Sequence, residues 1–255
     1  MACIYLSPSG QEFNFYLNGG TEEYFTNLIA DAMEPYLSSS GICFGRNMPW
    51  MTAQQAADNA NVFNYNAYLA IHSNSAAENL SGLLRGCDIY YFRDSALSRR
   101  YAQITAEYYK TIYPIPSLVN IIPNLTFIEL NKTRAPAILV EIGYHDNPED
   151  EAFIKSNTQN IARVLSQATA AFTSTPFVPK PDYIPGLVIT DGSGLNIRSE
   201  PSSSSAVVSR VPNGTTVRIL CKCGLWYRIN FGGISGFVSA SYVFPLFPER
   251  ALNQL

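Results

Sequence analysis

The feature that most constrains the fold is a short apolar segment with one carboxylate inside it. Ala137 to Ile142 is bounded by Pro136 and Gly143, and a run of this kind is typical of a strand buried on both faces of an α/β sheet. Glu141 lies near its carboxyl end. Because an unpaired buried carboxylate is costly, Glu141 is predicted to be paired, protonated or placed at a cleft. A structural ion pair with Arg134 or another basic residue is the alternative to a functional role.

A second apolar segment, Ala67 to Asn74, has a polar residue near the same end, namely His72. Ligands of open α/β sheets bind beyond the carboxyl ends of the strands. We therefore expect His72 and Glu141 to contribute to one site. The chain has one other histidine, His145, which follows the Glu141 strand.

The composition excludes several classes of protein. With 255 residues the chain is long enough for two domains. Its net charge is −3 and its basic residues are scattered, which argues against nucleic-acid binding. No apolar run approaches the roughly 18 residues of a membrane span. The amino terminus enters a strand with no secretory signal peptide, so we expect cytoplasmic synthesis.

The cysteines predict a protein without a disulfide framework. They are odd in number and widely scattered, which favours a reducing compartment. The pair Cys221 and Cys223 lacks the companion pair of a zinc knuckle, and both residues are interpreted as ordinary strand residues. The five cysteines are Cys3, Cys43, Cys87, Cys221 and Cys223.

Up to Phe172 the pattern alternates strands with helices, which predicts a three-layer α/β domain. Thr21 is a candidate N-cap, and Glu22 and Glu23 in the first turn complement the helix dipole. A proline-rich stretch around Pro116 is interpreted as a connection. A single last helix is predicted from Pro148 to Phe172.

After Phe172 the composition changes, and this sets the predicted domain boundaries. The α/β domain spans residues 1–175, a Pro-rich linker 176–186, a small all-β barrel 187–244 and a tail 245–255. The barrel is predicted from short strands separated by Gly- and Ser-rich turns.

The carboxy-terminal module resembles bacterial SH3-like domains. The resemblance is carried by Gly194 to Pro201, by Val211 to Thr215, by Trp226 to Ile229 and by Gly236 to Ser239, in the order and spacing of that family. It implies a module that binds cell-wall peptide or docks a catalytic neighbour. Trp226 and Tyr227 are its candidate wall-binding residues.

The larger domain, from about Ile4 to Phe172, resembles the zinc-dependent N-acetylmuramoyl-L-alanine amidases. Its most specific parts are Ala70 to Asn74, read as Ala-Ile-His-Ser-Asn, and Pro136 to Gly143, read as Pro-Ala-Ile-Leu-Val-Glu-Ile-Gly. The resemblance implies cleavage of the muramoyl–peptide amide of peptidoglycan. It also implies one zinc ion held by His72 and Glu23, with Glu141 as the catalytic carboxylate.

The residue types suit that reaction. A zinc ion with an open position lowers the pKa of bound water toward about 7 and polarises the scissile carbonyl. A carboxylate within reach, here Glu141, takes the proton and passes it to the leaving amine. Arg134 and Asn74 are the candidate substrate-binding residues, and for Arg134 a partner role toward Glu141 remains the alternative.

The sequence departs from the family at the first ligand, a histidine in the loop after the first strand. The matching loop has Gly10 or Gln11 at that place. Three alternatives follow: Gln11, Glu12 or His145 completes the site, the site is weakened, or the metal is lost. A silent wall-binding protein and a stem-peptide peptidase are the alternative functions. Release on lysis and action within a sporulating cell are the two routes to the wall that the sequence leaves open.

Overall fold

The computed structural model describes residues 1–180 and 183–246. The chain divides into two compact units, Met1–Pro179 and Lys180–Leu255. Two residues of the predicted linker, Pro181 and Asp182, and the predicted tail from Phe247 onward lie outside the described residues.

The first unit is built on a six-stranded mixed sheet with the order β2-β1-β3-β6-β4-β5. Strands β2, β1, β3 and β6 are parallel, and β4 runs antiparallel to β6 and parallel to β5. The strands are β1 (Cys3–Pro8), β2 (Cys43–Arg46), β3 (Ala67–Asn74), β4 (Cys87–Phe92), β5 (Val119–Asn124) and β6 (Ala137–Tyr144).

Helices cover both faces of this sheet, which confirms the predicted three-layer α/β fold. Helices α1, α3 and α6 contribute to the larger apolar cluster on one face, and α2 and α4 contribute to a smaller cluster on the other. The helices are α1 (Glu22–Ser39), α2 (Ala53–Ala60), α3 (Ala96–Tyr109), α4 (Ile128–Asn131), α5 (Pro148–Ser156) and α6 (Thr158–Phe172), with 3-10 turns at Glu78–Leu80 and Pro116–Leu118.

The alternation of side chains along β3 and β6 decides which face carries the polar residues. Ile71 packs in the larger cluster, whereas Tyr68 and Ala70 pack on the side of α2 and α4. Since side chains alternate with a period of two, His72 continues the row of Tyr68 and Ala70. Glu141 occupies the corresponding place on β6.

Two predictions of secondary structure were wrong. The proline-rich connection contains β5, which pairs in parallel with β4 at the edge of the sheet. An edge strand tolerates Pro123 because the missing N–H removes no bond to an inner neighbour. The predicted last helix is two helices, since Asn157 leaves the helical conformation with φ −123° and ψ 18° between α5 and α6.

The expectation of unpaired cysteines was also wrong at one place. Cys3 and Cys43 form a disulfide, with Cα atoms 4.4 Å apart. The two residues are in register on the parallel neighbours β1 and β2, so the sheet brings together cysteines that are 40 positions apart. Among the described residues Cys87, Cys221 and Cys223 are free, and the last two lie in β10 (Thr216–Cys223).

The loop that follows β6 is held by one buried carboxylate, Asp150, and its replacement gives the first testable prediction. Asp150 is fully buried and accepts hydrogen bonds from Gly86 N at 2.9 Å, from Tyr144 N at 3.0 Å and from the Tyr113 hydroxyl. Asp150→Ala leaves these donors unpaired, and we expect it to lower the free energy of unfolding by about 3–5 kcal/mol in urea titrations. Its exposed neighbour Glu149 supplies the control, E149A, and a loss for D150A no larger than the control's contradicts the assignment.

The second unit is an antiparallel seven-stranded sheet with its own apolar core, consistent with the predicted SH3-like barrel. Its strand order is β13-β7-β10-β11-β12-β8-β9. Besides β10, the strands are β7 (Ile184–Val188), β8 (Leu195–Arg198), β9 (Val207–Val211), β11 (Trp226–Phe231), β12 (Ile234–Ser239) and β13 (Val243–Pro245), with a 3-10 turn at Ala240–Tyr242. Within the two described ranges, no helix combines the length and the apolar character needed to cross a membrane.

Candidate active site

The sheet brings together the two residues that the sequence singled out first. His72 and Glu141 are register partners on the adjacent parallel strands β3 and β6. Neighbouring strands lie about 4.8 Å apart, and both residues occupy the same face near the carboxyl ends of their strands. This edge of the sheet is therefore the candidate active site.

His72 is clamped between two carboxylates, one at each ring nitrogen. Its Nδ1 lies 2.9 Å from Glu22 Oε1, and its Nε2 lies 3.0 Å from Glu129 Oε2. Burial alone lowers the pKa of the imidazole, but the two carboxylates outweigh it and raise the pKa well above the usual value. The two carboxylates therefore favour the positively charged form of the ring.

Glu22, the first residue of α1, approaches His72 over the edge of the sheet. The Thr21 side chain caps the helix by accepting from Tyr24 N, as predicted, which sets where α1 begins. Glu22 is 1% exposed, and its Oε2 accepts from Asn14 Nδ2 at 2.7 Å. Burial raises the pKa of this carboxyl, but hydrogen bonds from His72 and Asn14 more than compensate and hold it below its usual value.

The family resemblance predicts Glu23 as the ligand from α1. In the structure the side chains of Glu22 and Glu23 have different partners. Glu23 lines the cleft, where its Oε1 accepts from Asn27 Nδ2 at 3.2 Å. Successive helix residues are rotated by about 100°, so only one of two adjacent carboxylates can face a given partner. That residue is Glu22, which contacts His72.

Sequence reasoning did not find Glu129, the residue at the other side of the imidazole. It lies in the short helix α4 and is 5% exposed. A signal was present in the sequence, because Glu129 sits inside the short apolar run Phe127 to Leu130, as Glu141 does in its own strand. A carboxylate in such a run needs buried donors.

Glu141 differs from the other two carboxylates in having an oxygen without a partner. The residue is half-buried, but its Oε2 is fully enclosed and is among the few buried side-chain oxygens of the described residues that make no hydrogen bond. Burial raises its pKa to about 7, opposed by the charge of His72 and assisted by the charges of Glu22, Asp88 and Glu129. A carboxyl group with a pKa near the working pH suits a general base.

Of the candidates for the missing ligand, Gln11 lies closest to His72. Its Nε2 is 3.4 Å from His72 Nδ1, and Glu12 is an exposed residue of the same cleft. His145 is buried elsewhere: its Nδ1 lies 3.0 Å from Ser73 Oγ, and its ring stacks on Tyr16.

The two candidate substrate-binding residues lie at opposite ends of the sheet. Asn74 ends β3 and donates to Asp88, the register partner of Glu141 on β4. Arg134 precedes β6 and hydrogen bonds to the backbone and side chain of Asn61. With a rise of about 3.3 Å per residue, Arg134 lies roughly 20 Å from Glu141, too far for an ion pair.

An open cleft of about 680 Å³ leads to His72 and Glu129. Its walls carry exposed aromatic side chains, with Phe13 80% and Trp50 72% exposed. In the second unit Trp226 lines a separate cavity, whereas Tyr227 is 1% exposed and belongs to the apolar core.

The described side chains around His72 offer donors for a metal ion but do not form a complete metal-binding group. Among the described residues, no three His, Cys, Asp or Glu side chains are arranged as a metal-binding group. The chemistry of the site nevertheless fits a divalent cation, because Glu22, Glu129 and Glu141 surround a single imidazole and one Glu141 oxygen is unpartnered. Excess buried negative charge of this kind is relieved by a bound cation. Such a cation would be held by His72 and Glu22, with Gln11 adjacent.

Comparisons with known proteins agree with both units. Residues 9–171 match the family described as N-acetylmuramoyl-L-alanine amidase, and residues 193–244 match the family described as bacterial SH3 domain. No curated protein matches the chain.

Three solved structures that are similar to the first unit are an amidase from Clostridium difficile, an amidase from Nostoc punctiforme and an endolysin domain. An N-acetylmuramoyl-L-alanine amidase from Clostridium difficile 630 is 18% identical, with a TM-score of 0.62 over 68% of this chain and 97% of that one. The amidase AmiC2 of Nostoc punctiforme is 19% identical, with a TM-score of 0.60 over 68% and 97%. The catalytic domain of the CD27L endolysin targeting Clostridia difficile is 16% identical, with a TM-score of 0.54 over 67% and 96%. At these identities the likeness is one of fold.

Proposed function

The chain belongs to the N-acetylmuramoyl-L-alanine amidase family, and from that premise we propose how its own residues perform the hydrolysis. The bond cleaved is the amide between N-acetylmuramic acid and L-alanine in peptidoglycan. Glu141 is the general base, and one zinc ion would be held by His72 and Glu22. Gln11 would be the third ligand through its amide oxygen, which accepts from Asn14 Nδ2 at 2.9 Å in this structure.

Each residue has a separate task in this reaction. When bound, zinc acidifies a water molecule and polarises the scissile carbonyl. Glu141 takes a proton from the attacking water and delivers it to the leaving amine of L-alanine. Glu22 and His72 keep the reacting centre at the edge of the sheet, where the cleft admits a polymeric substrate.

The observation that carries the proposal is the unpartnered Oε2 of Glu141, in register with His72. A structural carboxylate at this depth is expected to have its donors, as Glu129 has. A carboxylate that is not fully engaged by fixed donors keeps a lone pair with which it can accept a proton.

The second unit supports a role at the cell wall. We propose that Trp226 contributes to wall binding, since its ring lines a cavity together with Arg198 and Tyr242. An aromatic side chain beside a guanidinium suits a peptide with a free carboxylate.

The function is tested on the full chain with purified muropeptides. We expect zinc-loaded protein to release L-alanine amino termini and free lactyl-muramoyl ends, and a chelator to stop the reaction until zinc is returned. Mass spectrometry identifies the bond that is cut. Cleavage within the stem peptide makes the protein a peptidase, and a folded, zinc-loaded protein without products is a silent wall-binding protein; either result overturns the proposal.

A further inference from the structure

The hairpin formed by β10 and β11 holds two thiols in contact. The Sγ atoms of Cys221 and Cys223 lie 3.7 Å apart, and either thiol can act as the donor. Both side chains are partly exposed, whereas Cys87, the other free cysteine of the described residues, is fully buried. Reagents in solution can therefore reach this pair while the protein stays folded.

The strand register explains why the two thiols face each other. Side chains two positions apart on a strand point to the same face. Cys221 and Cys223 pair with Arg228 and Trp226 of β11, and Tyr227, which lies between these two partners, belongs to the apolar core of the second unit. Both cysteines therefore lie on the outer face of the hairpin.

The backbone can close a disulfide here with a small movement. Two steps along a strand separate Cα atoms by about 6.6 Å, and disulfides span about 4.4–6.8 Å. An S–S bond is about 2.05 Å long, so the sulfur atoms must approach each other by roughly 1.7 Å. A β-bulge between Ile219 and Cys221 and a turn at Gly224, with φ +62°, flank the pair. Because both interrupt the regular ladder, the end of the hairpin can absorb this contraction.

We propose that Cys221 and Cys223 form a redox-active dithiol, which reacts with low-molecular-weight disulfides and closes reversibly to an intramolecular disulfide. One thiolate attacks the small disulfide, forms a mixed disulfide with it and releases one small thiol. The second thiolate attacks the protein sulfur of that mixed disulfide and releases the other small thiol. The small disulfide is reduced by two electrons, the cysteine pair is oxidised, and the two protons of the pair leave on the released thiols.

The surroundings of Cys221 predict that the exchange is slow. Burial and the adjacent thiol of Cys223 raise the pKa of Cys221, and the charge of Arg228 opposes them. The thiolate is the attacking form, so a thiol of raised pKa reacts slowly. We expect the pair to close over minutes to hours, and an excess of a small monothiol to reopen it.

A tryptic map of the full chain reads the state of the pair, because Lys222 separates the two cysteines. Two alkylated thiols are released in two peptides, residues 219–222 and 223–228, whereas a disulfide keeps both cysteines in one unalkylated species. We expect that single species after the native chain is incubated with oxidised glutathione, and the two separate peptides after an excess of reduced glutathione. The Cys3–Cys43 disulfide lies in a different peptide, residues 1–46, and is the internal reference.

The variants Cys221→Ser and Cys223→Ser are the matched controls, since each leaves one thiol of the pair in place. In either variant we expect the exchange to stop at the mixed disulfide, so that the remaining cysteine carries one glutathione. Phenylarsine oxide, a trivalent arsenical that bridges two nearby thiols with loss of water, supplies a second readout. It is expected to protect both thiols of the native parent from alkylation and to leave the single thiol of either variant unprotected.

Four results overturn the proposal. They are two alkylated peptides from the parent after oxidised glutathione, a parent that keeps glutathione on both cysteines, a disulfide that links two chains on a non-reducing gel, and an intramolecular disulfide that reduced glutathione cannot reopen. If a serine variant does not fold, the peptide map and the arsenical protection of the parent decide the question. None of these measurements involves zinc or hydrolysis, so their failure and a failure of the proposed function are distinguishable.

Discussion

Replacing Glu141 by Gln is expected to slow hydrolysis by about 10²–10⁴-fold, the range for loss of a general base. The same change is expected to stabilise the metal-free protein at pH 8. Both effects have one cause. Burial and the charges of three neighbouring carboxylates disfavour the ionised form of Glu141. A Gln side chain resembles the protonated carboxyl group. It therefore avoids the free-energy cost of a buried negative charge, but it cannot accept a proton from the attacking water.

The sign of the pH dependence follows from the raised pKa. The folded group takes up its proton below about 7, whereas the unfolded group does so only below 4.5. Between these values the native state binds more protons, so the stability of the parent falls as the pH rises from 4.5 to about 7. Above that window the full cost of the ionised group is present, about 3 kcal/mol, and Glu141→Gln removes it.

Urea unfolding of chelated parent and variant at pH 4.5 and pH 8 measures this difference. We expect equal stabilities at the acidic value and a more stable variant at the alkaline one. Glu149→Gln is the matched control, since Glu149 is an exposed carboxylate in the first turn of α5, and it is expected to change neither activity nor the pH dependence. A variant that is inactive but no more stable at pH 8 contradicts the assigned charge state of Glu141.

The second large effect is expected from a pair of neighbouring substitutions, Glu22→Gln and Glu23→Gln. Both remove one acid from the first turn of α1, so both lose a similar helix-dipole contribution of about 0.3–1 kcal/mol. Only Glu22 contacts His72, whereas Glu23 contacts Asn27. We expect Glu22→Gln to weaken zinc binding more than about 100-fold, since outer partners of a metal site are already worth 10–100-fold.

For Glu23→Gln we expect a zinc Kd and a hydrolysis rate within about threefold of the parent, since no direct ligand is lost. Chelator competition and muropeptide digestion measure the two quantities on the same preparations. The reverse order of effects returns the ligand role to Glu23, as the family resemblance predicted. If both variants change the zinc Kd and the hydrolysis rate equally and only slightly, then α1 supplies no metal ligand.

The comparison of Glu22 with Glu23 shows where sequence reasoning reaches its limit. Thr21 was identified as the N-cap, and the helix begins where that cap requires. The rotation of the helix relative to β3 depends on how α1 packs against the sheet, and that packing decides which of two adjacent carboxylates meets His72. A local pattern contains no such information.

Contacts between distant segments were the other part that the sequence did not reveal. The Cys3–Cys43 disulfide depends on the parallel register of β1 and β2. Glu129 meets His72 across 57 positions of the chain, although its own position within an apolar run was a visible signal. Strand β5 was missed because Pro123 is compatible with a strand only at an edge, and edge position is a property of the whole sheet.

What the sequence determined by itself was the pair of buried strands that end in His72 and Glu141, and the order of an α/β domain followed by an all-β module. Apolar periodicity and turn residues act over a few positions, so they can be read locally. Only the tertiary structure decided that Glu22 and Glu129 enclose the imidazole and that Glu141 keeps an open oxygen. The reason is physical: the protonation and the partners of a buried group depend on every charge and donor packed around it, whatever their distance along the chain.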